Sequence, residues 1–301
     1  MSCLQPSLWA SLVFILSSGL AANFSQAEPI TGVSNPLASA SGGLVSVNLC
    51  VDQMLLRFAE RDQITSVTYF ADNPLMSPLA LQAQGLHRNH GLVEEIIPLQ
   101  PRLVLAGEYG AREAIELLLA LGYPVVRVPL PQKLADIDAH LARMAEILDS
   151  PPALLSFSQH WQVRKAQLQA ENRRTPNSAK PSALMLGPNH IAPGGGTLED
   201  ELLTLAGFQN WAVQQGIQGF ASVNLEKLVL NPPDLLIVDQ VAAEHFSVAH
   251  EVLQHPALAR AMQKGDLAAL PGNLSVCPAP NINALISTLI ELRLGLKRNV
   301  S

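Results

Sequence analysis

The side chains in this sequence that could carry chemistry are few, and their spacing suits binding and docking better than bond-making. Glu94 and Glu226 head two matching runs. The first reads Val93-Glu94-Glu95-Ile96-Ile97-Pro98-Leu99-Gln100-Pro101, then Arg102-Leu103-Val104-Leu105. The second reads Leu225-Glu226-Lys227-Leu228-Val229-Leu230-Asn231-Pro232-Pro233, then Asp234-Leu235-Leu236-Ile237. Each puts a carboxylate early in a short apolar helix, a proline seven residues later, and an apolar strand after it. Taken singly, either carboxylate favours its own helix N-terminus electrostatically. Two copies in corresponding places suggest two related lobes, with the glutamates at equivalent surface points.

Other candidate groups do not assemble into a reaction centre. No HExxH, GxSxG or GxxxxGK[ST] run occurs, so metal-dependent hydrolysis, serine hydrolysis and ATP hydrolysis find no machinery here, and no cofactor motif is present. His245, His250 and His255 are spaced by five, which does not line up one helical face. His87 and His90 lie three apart and read as loop histidines. Gly194-Gly195-Gly196 precedes a helix start, but Glu199, Asp200 and Glu201 in its first turn oppose an anion there. Thr197 and Asp200 have capping-box spacing instead.

The elements that must position these groups alternate. In the first half, strands are expected over 44–48, 64–69, 103–106 and 125–128, with helices over 51–60, 111–121 and 133–148. In the second half, strands are expected over 183–186 and 235–238, extended pieces over 267–270 and 274–276, and helices over 197–206, 223–230, 248–262 and 282–297. This alternation predicts an α/β fold with parallel sheets covered by helices. Between the halves runs a 151–175 segment with two prolines at its start, no internal Gly or Pro, and mostly acceptable or good helix formers. It predicts a single long helix joining two Rossmann-like lobes, 44–150 and 176–301. An ordinary surface helix in one domain is the alternative.

With 301 residues the chain can bury two cores. Its formal charge of −6 argues against nucleic acid as a partner. The apolar stretch from Leu8 to Leu16 has the length of a secretory h-region, and Ser25-Gln26-Ala27 fits a small-x-small cleavage site. No Lys or Arg precedes Arg57, so the usual basic start is missing. Residues 1–27 are expected to be a cleaved signal peptide and 28–43 a loosely ordered leader. Cleavage would leave Cys50 and Cys277, which in an oxidising compartment form either one disulfide or two buried thiols.

The secretory leader, the strand followed by Asn48-Leu49-Cys50-Val51-Asp52-Gln53-Met54-Leu55-Leu56, the two Glu…Pro…strand units and the long central helix together resemble the periplasmic substrate-binding proteins of ABC importers for ferric siderophores, haem and cobalamin. The resemblance covers Val45 to Leu296. It implies two lobes on one rigid helix, a ligand cleft between them, and a glutamate on each lobe docking on arginines of a dimeric inner-membrane permease. Position by position these are Glu94 and Glu226, with Glu95 a competitor for the first. Arg102 stands where the family has Asp.

In doubly wound sheets ligands gather beyond the carboxyl ends of the strands. The loops there offer Asn48, Cys50, Tyr69, Phe70, Glu108 and Tyr109 in the first half. In the second they offer Asn189, His190, Trp211, Phe220, Gln240 and Asn281. By the resemblance, aromatics at the positions of Tyr69, Tyr109 and Phe220 line the cleft. Trp211 is the one best explained as core. The nearest basic residues are Arg88 and Arg112, too few for a strongly anionic catecholate complex. The expected ligand is an iron complex of the ferric-siderophore kind and low charge, with cobalamin or haem as alternatives. A bare divalent metal on a similar scaffold, or a two-lobed enzyme, would need a ligand cluster or catalytic base that the sequence does not supply.

Overall fold

The computed structural model describes residues 42–239, 255–262 and 266–298. The expected signal peptide, most of the leader, and Gln240, His245 and His250 lie outside the described residues.

The first half forms one sheet of β1 (Leu44–Ser46), β2 (Ile64–Thr68), β3 (His87–Asn89), β4 (Leu103–Gly107) and β5 (Val125–Val128), in the order β3-β2-β1-β4-β5. Every pairing in it is parallel. The second half contains β6 (Ser182–Leu186), β7 (Ile191–Pro193), β8 (Gln209–Asn210), β9 (Phe220–Ser222), β10 (Leu235–Asp239) and β11 (Asp266–Leu270). Four of these form a parallel sheet in the order β11-β10-β6-β8, while β7 and β9 pair antiparallel beside it. The helices are α1 (Leu49–Phe58), α2 (Val93–Ile96), α3 (Arg112–Ala120), α4 (Leu134–Ile147), α5 (Pro152–Arg174), α6 (Leu198–Leu205), α7 (Trp211–Gln214) and α8 (Leu225–Leu230). Beyond them lie Pro256–Ala261, Gly272–Ser275 and the closing helix Pro278–Arg298.

The two sheets share a wiring. The order β2-β1-β4-β5 corresponds to β8-β6-β10-β11. In each, the chain first winds to one side of its opening strand and then returns to the other. The doubled Glu…Pro run becomes α2 followed by β4 and α8 followed by β10, each strand lying next to the opening strand of its sheet. Both strands are near-continuous apolar runs, LVLAG and LLIVD, buried along almost their whole length, as strands covered on both faces must be. Val45, Val93, Ile96, Val104 and Leu118 form one core, and Leu184, Leu186, Trp211, Leu236 and Val238 anchor another.

Helix α5 has 23 residues and would be ~35 Å long. It carries the chain from the first sheet to the second, and only Leu154 and Trp161 on it are buried. The Trp161 indole N–H donates to Asp138 on α4 over 2.8 Å, and the Lys165 ammonium pairs with the same carboxylate. Further along, Asn172 donates to the Leu205 carbonyl at the end of α6. The helix therefore holds elements of both halves.

A second bridge was not anticipated. The closing helix packs against α1 and α4 of the first half and against α6 and β11 of the second. Cys277, just before it, is disulfide-bonded to Cys50 in α1, with Cα atoms 5.0 Å apart. Of the two outcomes left open for these cysteines, this is the disulfide.

Three local expectations need correction. The extended piece expected over 274–276 is instead the short helix Gly272–Ser275 and the turn after it, started by Pro271. The crossing before α2 contains β3, whose polar sequence HRN hid a strand; Asn89 is buried and donates to the Ser46 carbonyl. The loop after β6 contains β7, which is stabilised by pairing with β9.

Candidate functional site

Loop residues at the carboxyl ends of the strands supply the exposed aromatic groups, and each is placed there by the strand before it. In the first half, Tyr69 and Phe70 follow β2 and are exposed, with ring centroids 3.9 Å apart. Tyr69 also stacks on His90, which follows β3, at 4.7 Å and an interplanar angle of 26°. Tyr109 follows β4 and is 66% exposed.

Between these points lies the switch between β1 and β4. Asn48 occupies it, but as the N-cap of α1: its carbonyl oxygen accepts from Cys50 N (3.0 Å) and Val51 N (3.2 Å). Its amide nitrogen lies against Gly107, where an added Cβ would come within 2.3 Å of it. The oxygen of Asn48 is thus committed to the helix, and Gly107 is needed for the fit.

His90 is held from two sides. Glu95 accepts from the His90 backbone N–H at 2.6 Å and from its ring Nδ1 at 2.9 Å. The backbone bond first, then the ring bond, holds the Glu95 carboxyl below its usual range. Glu94, one residue before, is exposed in the same turn. Glu226 is likewise exposed in the first turn of α8, where Asn224 accepts from its backbone N–H. Of the two nearest cations named from the sequence, Arg88 is paired with Asp72 at 2.7 Å and Arg112 is exposed at the start of α3.

In the second half the loop after β6 turns sharply. Asn189 and His190 are both left-handed, with φ of 54° and 62°, a conformation that costs non-glycine residues about 1 kcal/mol or more each. This turn, β10 and the start of α6 line an open cavity of about 440 Å³. Leu186, Ile191, Phe220, Val238 and Val276 form part of its apolar wall, and its polar side chains are Asn189, Glu199, Asp239 and Ser275. Phe220, 61% exposed, and Ile191 are its solvent-facing aromatic and aliphatic members. Burial pushes the Glu199 carboxyl above its usual range, against weaker hydrogen bonds from its own backbone and Thr197. Helical spacing could have pointed to it: Glu199 precedes the buried Leu202 and Leu203 by three and four residues, on the inward face of α6.

Two residues named from the sequence belong elsewhere. Asn281 is 2% exposed. Its amide donates to Gln53 Oε1 (2.6 Å) and the Cys277 carbonyl (3.0 Å), and its oxygen accepts from Arg57 (3.1 Å). Both ends are used within the protein, so it is a strut between the closing helix and α1, not a ligand contact. Trp211 is buried with its indole N–H on the Asn231 carbonyl, as a core residue. The structure thus groups Tyr69, Phe70 and His90 in the first half and Asn189 with Phe220 in the second. The disulfide that joins the halves adjoins Val276, a lining residue of the second-half cavity. Among the described residues no three His, Cys, Asp or Glu side chains come together as a metal site, and no helix is long and apolar enough to cross a membrane.

The family model described as "periplasmic binding protein" matches residues 44–274. The chain belongs to that family. The fold resembles the apo periplasmic heme-binding protein RhuT from Roseiflexus sp. RS-1, with a TM-score of 0.67, 22% identity, and coverage of 85% of this chain and 98% of that one. It also resembles the periplasmic heme-binding protein HutB of Vibrio cholerae, with a TM-score of 0.64, 18% identity, and coverage of 82% and 98%. For the vitamin B12-binding protein BtuF of Vibrio cholerae the values are 0.62, 16%, 85% and 98%. At these identities the likeness is one of fold. No curated protein sequence matches the chain. Membership of the periplasmic binding protein family gives the two parallel sheets a common purpose, the capture of a solute. It does not select the ligand.

Proposed function

We propose that this chain is the solute-binding component of an ABC importer, exported to the periplasm by residues 1–27, and that it captures a bulky iron complex of low net charge, of the ferric hydroxamate kind. The cleft would lie between the lobes 44–150 and 176–301, with α5 (inside 151–175) as the rigid link. The observation that carries this reading is the chemistry of the sheet ends. Tyr69 and Tyr109 stand exposed just beyond β2 and β4, and the exposed Phe220 lines an apolar cavity with no Lys, Arg or His among its described lining residues. Aromatic faces give wide contact at low entropic cost. A multiply anionic complex would find too few cations. Asn189 and His190, on their strained turn, are further contacts in this reading, and Asn48 contributes through the fit of the loop it caps.

Glu94 and Glu226 would dock on cationic side chains of the permease dimer. Both are exposed in equivalent first turns, while Glu95 is occupied by His90, which favours Glu94 as the docking member of that pair. Closure would be small, because two helices and a disulfide join the halves.

A planar tetrapyrrole, haem or a corrin, is the second reading. The exposed Tyr69 phenol stacked on His90 favours it, since phenolate is a hard oxygen donor that iron accepts as an axial ligand. The solved structures named above add support through what they bind.

Fluorescence titration of the mature protein against a ferric trihydroxamate, a ferric catecholate, haem and cyanocobalamin separates these. Tight saturable quenching by the trihydroxamate alone supports the first reading, and quenching by haem or cyanocobalamin alone supports the second. Silence towards all four, from folded protein, overturns both.

A further inference from the structure

Tyr69 and Phe70 occupy the two central positions of one tight turn. The Ala71 N–H donates to the Thr68 carbonyl at 3.0 Å, which closes the turn, and the Tyr69 N–H donates to the Asn89 carbonyl of β3 at 3.0 Å. Ala71 is buried at the far end. The presentation of both rings, 3.9 Å apart, therefore depends on where Thr68 is held.

Thr68 is held by Asp52. The Thr68 backbone N–H donates to both carboxyl oxygens, each at 3.2 Å, and the Thr68 hydroxyl donates to Oδ2. Asp52 stands in the first turn of α1 and is fully buried. Among the described residues no cation pairs with it. The strands packed on α1 are β1, β2 and β4, of sequence LVS, ITSVT and LVLAG, and none carries an ionisable side chain. The closing helix meets α1 through Asn281, and its first ionisable residue, Glu291, lies about three turns further on. On α1 itself, Arg57 is exposed and donates to Asn281. His87 on β3 is engaged by Ser66, and beyond the turn Asp72 and Arg88 pair with each other.

Burial outweighs the hydrogen bonds to the Asp52 carboxyl and raises it to about 7. With its proton on, the group is neutral and sits in this site at small cost. With its proton off, a charge without a counter-ion lies away from water, which is costly. Relief comes from admitting water at the turn, where Tyr69 and Phe70 are exposed.

We propose that Asp52 is the positioning residue of this aromatic edge and makes it pH-sensitive: its neutral form holds the Thr68–Ala71 turn shut with Tyr69 and Phe70 presented together, and its ionised form lets the turn open. Control of the turn stands on the fold alone, while its effect on capture rests on the reading of Tyr69 as a ligand contact. Proton linkage sets the direction. In an open turn Asp52 is hydrated and releases its proton near pH ~4. In the closed turn it keeps the proton up to about 7. Opening therefore becomes easier as pH rises from ~4 to about 7 and changes no further above that.

Amide hydrogen exchange of the ligand-free protein reads the turn through Thr68, Tyr69 and Ala71, whose N–H groups are all bonded at it. Their protection factors, corrected for intrinsic exchange, are expected to fall by ~10-fold or more between pH 5 and pH 7 in the wild type, since one unit of pKa difference gives a factor of ten. They should stay level in Asp52→Asn. Thr68→Val keeps the backbone bond but removes one that favours the ionised form, so its profile should level off above about 7. Protection that does not change with pH in the wild type overturns the proposal. So does a fall shared equally by the amides of β10, which marks a loss of global stability, or a fall that survives Asp52→Asn. Where Asp52→Asn does not fold, an unmoved profile in Thr68→Val overturns it.

Ferrioxamine B, haem and cyanocobalamin, titrated at pH 5.5 and pH 7.5, carry the test to binding. The ratio of wild-type to Asp52→Asn affinity cancels any titration of the probe, and for a probe that binds it should fall ~3-fold or more towards pH 7.5. A constant ratio beside a pH-sensitive turn overturns the effect on capture. Binding of none of the three removes the ligand reading and the capture effect with it, while the exchange profile still decides the role of Asp52 in the turn.

Discussion

Asn281 and Gln53, 228 positions apart, share a buried hydrogen bond of 2.6 Å that ties the closing helix to α1. Arg57 completes the arrangement on the Asn281 oxygen. Asn281→Ala leaves the fully buried Gln53 Oε1 without its partner, while the exposed Arg57 can turn to water. Loss of roughly 1–3 kcal/mol of stability is expected, read as a lower denaturant midpoint, since an orphaned buried polar group bears its full desolvation penalty. Ligand affinity should be preserved. A large affinity loss at unchanged stability would return Asn281 to the ligand contacts.

The Cys50–Cys277 bond closes a loop with a sequence separation of 227. Cross-linking so long a loop restricts the unfolded chain, by roughly 2–5 kcal/mol in systems of this kind. Cys50→Ser combined with Cys277→Ser should lower the melting temperature by an amount matching reduction of the wild type with dithiothreitol. A double variant that melts with the oxidised wild type would show that the cross-link adds nothing.

Asp52 gives a pH signature. It is fully buried in α1, where burial raises its carboxyl to about 7, against hydrogen bonds from Ser46 and Thr68. The unfolded chain releases this proton near pH ~4. Between there and about 7 the folded state holds the proton that the unfolded state has lost. This group's contribution to stability is full below pH ~4, falls as pH rises, and levels off above about 7. Asp52→Asn removes the titration, so the melting temperature of the variant minus that of the wild type should grow from pH 5 to pH 8. A difference that does not vary with pH would contradict it.

Glu94→Ala with Glu226→Ala should leave folding and ligand affinity intact, because both side chains are exposed and such substitutions change stability by ~0.5 kcal/mol or less. Uptake through the reconstituted importer should be lost. Glu95→Ala should instead act on the His90–Tyr69 stack, weakening ligand binding. Uptake that survives the double change would place the docking surface elsewhere.

Gly107→Ala is expected to disturb the site at its base. The new methyl would press on Asn48, whose side chain caps α1 beside the disulfide. Chemical-shift or circular-dichroism loss in α1, with a lower melting temperature, checks it. Gly122→Ala, at a glycine with φ of 83° and open space around it, is a control for backbone strain alone.

Much of this architecture could be read from residues alone because parallel strands buried on both faces write themselves as apolar runs. Leu103–Gly107 and Leu235–Asp239 are such runs, and the Glu…Pro spacing before each marked their equivalence. The strand His87–Asn89 could not be seen that way. It is three polar residues at a sheet edge, stabilised by pairing with β2 and by the bonds of Asn89. The same limit applied at the site. Tyr109 and Phe220 stood out because aromatic residues in glycine-flanked or connecting loops have little core to join. The role of Asn281 was invisible, since its side-chain partners Arg57 and Gln53 lie more than 220 positions away. Glu199 carried a helical-face signal that was masked by its acidic neighbours.

The closing helix also constrains how the molecule is made. Its partners α1 and α4 belong to the first half of the chain, and the cysteine that bonds Cys50 sits at its threshold. The opening strands precede residue 277 by more than two hundred positions. Until the closing helix docks, α1 has an uncovered flank, Gln53 and Arg57 have no Asn281 to meet, and Cys50 has no Cys277 to bond. The first half is therefore completed only by the end of the chain, and its earliest helix is among the last to be sealed.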